Sequence, residues 1–279
     1  MTAPLHAPAE AFFLPAAQGQ RFCLYHAPQG SCRGALVYVH PFAEEMNKAR
    51  RMAAVQARTL AAHGYGVLLI DLHGCGDSDG DFGDASWDSW KKDLTAASAW
   101  LLERLERPVG LWGLRLGALL ALDYARDARQ PVAQLLLWQP VTDGAGFLTQ
   151  FLRLRLAGAM LDQGAAAGGG TAALRATLAG GEALEVAGYL LSPTLAKELD
   201  TLDATRLAPP CPTHWLEIVA AAERPLPPGA ARVKAAWERD GATPDVRTVA
   251  CAPFWATQEI AECPELITAT LEVLETQHG

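Results

Sequence analysis

Between Pro108 and Ala125 the chain passes from a buried strand into a helix through a turn framed by two glycines. Pro108-Val109-Gly110-Leu111-Trp112 reads as the strand, Gly113-Leu114-Arg115-Leu116-Gly117 as the turn and Ala118–Ala125 as the helix. So short a passage bends sharply. Glycine on either side leaves room that a Cβ would fill, and the residue at the tip sits on strained backbone. That residue is Arg115. Its guanidinium stays protonated at physiological pH, so it can hold an anion and cannot act as a nucleophile.

The rest of the chain repeats the alternation of strand and helix. Phe12–Leu14 and Phe22–Tyr25 flank Gly19 and read as an antiparallel hairpin. Ala35–His40, Val67–Asp71, Gln134–Trp138, Thr213–Ile218 and Val246–Val249 are further strands, with a helix from about Lys48 to His63 after the first of these. Continuous apolar strands alternating with helices predict a parallel sheet covered on both faces. Residues 146–204 read instead as helical, with Phe147, Leu148, Phe151, Leu152, Leu154 and Leu156 on one apolar face, interrupted by a loop at 164–170 expected to be mobile. The domain reading is a core of 1–145 and 205–279 with 146–204 inserted as a helical cap, or lid.

Composition narrows the function. A chain of 279 residues with net charge −8 is no candidate for a nucleic-acid surface. No apolar run reaches the length of a membrane span, and the first residues lack the pattern of a signal peptide, so a cytoplasmic location is expected. The cysteines at 23, 32, 75, 211, 251 and 263 include no C-x-x-C pair. That spacing suggests neither metal nor redox motif, and Cys211, Cys251 and Cys263 read as reduced packing residues. No cofactor is expected.

Four motifs then converge. They are His40-Pro41-Phe42, Asp71-Leu72-His73-Gly74-Cys75-Gly76-Asp77-Ser78, the Arg115 turn standing where G-x-S-x-G would stand, and Trp138-Gln139-Pro140-Val141. Together they resemble the α/β-hydrolase superfamily over nearly the whole chain. The resemblance implies a mostly parallel central sheet with helices on both faces and a helical cap insertion. The wording around His40–Lys48, Gly74–Ser78, Leu111–Gly117 and Pro253-Phe254-Trp255 also resembles the exosortase A system-associated hydrolase 2 family. That likeness implies a bacterial exosortase and exopolysaccharide (PEP-CTERM) setting, and with it a protein of that system as partner. It implies no particular reaction.

Acyl transfer on such a fold needs serine, acid and histidine in that chain order. Arg115 occupies the serine position and Pro253 the histidine position, and the only later histidine is His278, next to the end of the chain. Glu217 and Glu223 are candidates for the acid. The oxyanion donors expected are the backbone N–H groups of Phe42 and Leu116. His40 reads either as a general base or, more commonly at this place, as a loop-bonding group. Cys75 and Asp143 are weak alternative nucleophiles, Ser78 a turn residue, and Ser192 within reach only on cap closure. Arg115 needs a carboxylate partner, expected from Glu44, Glu45 or Asp143, and Trp138 and Trp255 are expected to line the crevice. Two functions follow. One is a non-catalytic member that binds an anionic or acyl-bearing small molecule or a protein partner. The other is a hydrolase or acyl transferase acting on an ester-type substrate with non-standard residues.

Overall fold

The computed structural model describes residues 8–163, 169–221, 223–257 and 259–276. His278 and most of the glycine-rich loop lie outside the described residues. The elements are β1 (Glu10–Pro15), β2 (Gln20–His26), β3 (Gly34–Val39), α1 (Glu44–Ala62), β4 (Tyr65–Ile70), α2 (Trp87–Leu105), β5 (Val109–Leu114), α3 (Leu116–Asp127) and β6 (Leu135–Trp138). Then come α4 (Gly144–Gln163), α5 (Gly170–Ala179), β7 (Leu184–Val186), β8 (Tyr189–Leu191), α6 (Pro193–Asp200), β9 (Thr213–Val219), α7 (Pro228–Arg239), β10 (Asp245–Ala250) and α8 (Pro264–Glu275).

Eight strands form one sheet in the order β1-β2-β4-β3-β5-β6-β9-β10. The β1–β2 and β2–β4 pairs are antiparallel and the others parallel, so the predicted hairpin does supply an antiparallel edge. Side chains leave a strand on alternate faces, and two separate cores result. Leu135 and Leu137 of β6 join the core with Val37, Leu111, Leu94 and Leu119. Leu136 and Trp138 join Leu36, Trp112, Met52 and Leu266 on the other face.

Three expectations change here. Helix α1 begins at Glu44, ahead of the predicted start near Lys48, because Ala43 (φ 49°) turns the chain directly off β3 and two glutamates sit at the positive end of the helix dipole. The stretch read as wholly helical contains the hairpin β7–β8, whose two-residue turn, Ala187 (φ 50°) and Gly188 (φ 83°), takes left-handed backbone. Cys251 and Cys263 pack with the core on the α8 face, as expected, but are paired as a disulfide with Cα atoms 6.0 Å apart and are not separate thiols. The loop between β10 and α8 brings them together, and their spacing carries no motif. No helix among the described residues is long and apolar enough to cross a membrane.

Candidate functional site

The carboxyl ends of β3, β5 and β6, neighbours in the sheet, each give way to a non-glycine residue at positive φ: Ala43 at 49°, Arg115 at 57° and Gln139 at 44°. Such backbone costs on the order of 1–3 kcal/mol per residue and persists only where its surroundings hold it. The glycines of the turn supply that support. A Cβ on Gly117 would strike the carbonyl oxygens of Val39 and His40, and one on Gly113 would strike the backbone of Ala118. Helix α3 therefore starts in direct contact with the end of β3. Phe42 and Leu116 line one small cavity of about 10 Å³, and neither backbone N–H donates to another described residue.

Arg115 turns its side chain toward α1. Its Nε donates to Glu45 Oε1 at 3.3 Å, and the two side chains are 17% and 15% exposed. Its Cζ lies 5.3 Å from the centroid of the Trp255 ring, a cation–π contact. The terminal nitrogens Nη1 and Nη2 donate no hydrogen bond among the described residues. Burial pushes the Glu45 carboxyl above its usual range, against the pull of Arg115. The Oε2 atoms of Glu44 and Glu45 are buried with no partner among the described residues.

On the far side stands Glu217. It accepts bonds from Trp215 Nε1 at 2.8 Å and Gln139 Nε2 at 3.1 Å, and burial raises its carboxyl despite these donors and the nearby charge of Arg115. Gln139 Oε1 in turn accepts from the Ile218 N–H at 2.5 Å. Both carboxylate oxygens of Glu217 thus accept a bond, and among the described residues no imidazole is bonded to them. Phe42, Glu45, Arg115, Phe147, Phe151 and Trp255 are among the walls of a cleft of about 310 Å³.

Several predicted candidates are spent elsewhere. His40 Nδ1 pairs with the Pro41 carbonyl oxygen at 2.8 Å, and its Nε2 accepts the Leu72 N–H at 3.2 Å. That pattern assigns the proton to Nδ1. Burial lowers the ring's pKa, so His40 is a neutral loop brace with no nitrogen left to take a substrate's proton. Cys75 is buried, and burial followed by the charges of Asp71 and Asp93 drives its thiol pKa far up, away from thiolate chemistry. Asp143 accepts from the N–H groups of Ala145 and Gly146 at the start of α4, and it is Glu45, not Asp143, that meets Arg115. Trp138 is fully buried on the α8 face, where its Nε1 donates to Thr270 Oγ1, so it does not line the crevice. The pleat sends alternate residues of β6 to opposite faces, and the chain position alone does not say which. Glu223 is exposed beyond β9, and so is Pro253 beyond β10. Ser78 Oγ donates to the Asp71 carbonyl oxygen and accepts the Phe22 N–H, as a turn residue would. Ser192 caps α6 through the Leu195 N–H.

Trp255 does enter the cleft, as expected, carried by the loop in which a histidine was sought. Sequence reasoning did not single out Gln139 or Lys48 as site residues. Phe147, Phe151 and Leu154 read from the sequence as one apolar face of a cap, at spacings of i, i+4 and i+7, and in the structure they line this cleft.

Comparison with known proteins supports this architecture. A family model, Hydrolase_4, described as serine aminopeptidase S33, matches residues 30–219. Comparison with curated proteins finds no match. Among solved structures the chain is similar to a soluble variant of monoglyceride lipase from Saccharomyces cerevisiae in complex with a substrate analogue. The TM-score there is 0.65 and the identity 13%, over 98% of this chain and 96% of the other. It is also similar to Est1E from Butyrivibrio proteoclasticus with ferulic acid bound, with a TM-score of 0.62 and 12% identity over 96% and 98% of the two chains. A third is an α/β serine hydrolase without lid from Xanthomonas campestris, with a TM-score of 0.59 and 15% identity over 99% and 98%. The fold is that of the α/β-hydrolases, and the chain belongs to the Hydrolase_4 family within that superfamily.

Proposed function

We propose that this chain uses the crevice of a hydrolase to bind a ligand without hydrolysing it. The observation that carries the reading is the state of Arg115. The residue at the elbow is a cation paired with Glu45 and stacked on Trp255. Nothing in its place can attack a carbonyl, and His40, which lines the cavity beside Leu116 and Gly117, is engaged at both nitrogens. Residues 146–204 act as a cap, with Phe147 and Phe151 packing edge-on against Phe42 at 5.5 and 4.9 Å between ring centroids. The wording of the motifs supports a bacterial exosortase and exopolysaccharide setting in the cytoplasm. The ligand there is an anionic or acyl-bearing small molecule, or the partner is a protein of that system.

One observation favours the second reading, an ester hydrolase or acyl transferase with unconventional residues. Phe42 and Leu116 line one cavity and their N–H groups have no partner among the described residues, as an oxyanion site requires. Turnover of p-nitrophenyl acetate and p-nitrophenyl octanoate separates the two. The rate with protein is expected to equal the rate in buffer. Saturable turnover that Arg115→Ala abolishes would establish the second reading instead.

A further inference from the structure

The cleft beside Arg115 is polar at one end and apolar along one side. At the polar end the guanidinium is held on three sides: by the elbow backbone, by Glu45 at Nε, and by the Trp255 ring. Its Nη1 and Nη2 groups are the part left over, and they form the planar fork that matches a carboxylate or phosphate with two parallel bonds. Lys48 adds a second cation to the same cleft. Along the side, Phe147, Phe151 and Leu154 present one face of α4, and Leu154 is 40% exposed at the rim. A volume of about 310 Å³ is at the small end of ligand pockets.

We propose that this cleft takes an anionic amphiphile, with a carboxylate or phosphate monoester head on the free fork of Arg115 and a short alkyl or acyl tail along Phe147, Phe151 and Leu154. The proposal rests on the non-hydrolytic reading above and adds the ligand's chemistry to it.

The charges around the head need balancing. Glu44, Glu45 and Lys48 come from α1 and Glu217 from β9, while α4 and the Trp255 loop add no charged side chain to the lining. Burial already holds the carboxyls of Glu45 and Glu217 toward their neutral forms. An incoming anion pushes them further that way, so binding takes up protons and tightens as pH falls into the range where these raised carboxyls titrate.

Calorimetric titration of the full chain with octanoate, octyl phosphate, octanol and acetate tests this. Octanoate or octyl phosphate is expected to bind about tenfold or more tightly than octanol, which lacks the charge, and than acetate, which lacks the tail. The tighter of the two anions identifies the head group. Arg115→Gln should weaken the anion about tenfold or more and leave octanol unchanged. Glu45→Gln, which removes a competing carboxylate, should strengthen it, and this second variant remains readable if Arg115→Gln does not fold. Octanol binding as tightly as octanoate, an anion affinity indifferent to both substitutions, or no binding of any probe would overturn the proposal. The non-hydrolytic reading survives each of these outcomes, because it fails only on ester turnover.

Discussion

Asp93→Ala is expected to lower the unfolding free energy by about 3–5 kcal/mol. Asp93 Oδ1 accepts from Arg21 Nε at 2.7 Å, with the two side chains 2% and 1% exposed. Its Oδ2 accepts the His73 N–H at 2.7 Å, and Arg21 Nη1 reaches the carbonyl oxygens of Gln18 and Gln20. The pair therefore ties β2, α2 and the turn after β4 together. Burial raises the Asp93 carboxyl even with these donors in place, so the pair itself is no large source of stability. The loss comes from leaving a guanidinium buried with its carboxylate gone. Replacing both partners, Arg21→Met with Asp93→Leu, should accordingly cost much less than the single change. Urea denaturation of the three proteins checks this. A single variant that loses less than about 1 kcal/mol would contradict it.

The second large expectation concerns catalysis. Arg115→Ser restores a hydroxyl at the elbow and should still leave ester turnover at the buffer rate. A positioned general base contributes about 10²–10⁴-fold, and no imidazole among the described residues is shown bonded to the elbow. His40 is bonded at both nitrogens, Pro253 stands exposed where a histidine was sought, and each oxygen of Glu217 already accepts a bond, from Trp215 and from Gln139. Turnover by Arg115→Ser that disappears on adding His40→Ala would show that the loop brace can release its ring and act as a base.

Much of the fold was legible because its signals are local. The strand–turn–helix around Arg115 needs two glycines at set places, and both prove to be steric requirements against neighbouring backbone. The parallel strands are continuous apolar runs, which only a sheet covered on both faces accommodates. What stayed hidden depends on which way a side chain leaves its strand or on which loops meet. Trp138 and Gln139 are consecutive, yet the first is buried against α8 and the second reaches Glu217. The positive φ of Gln139 re-aims it, and nothing in the residue type announces that. Glu45 was within the predicted set of Arg115 partners, whereas Asp143 was drawn off by the backbone of its own helix, a local competitor for any Asp at such a position. The Cys251–Cys263 link escaped because the segment between them has no pattern of its own.

The central claim is that the elbow holds a cation and no nucleophile. Labelling the intact protein with a fluorophosphonate and reading its mass before and after tests this most directly. The expected result is an unchanged mass, with Arg115→Ser equally unlabelled. A single covalent adduct mapped by peptide sequencing to a serine or cysteine lining the crevice, and blocked by prior incubation with an ester substrate, would contradict the account.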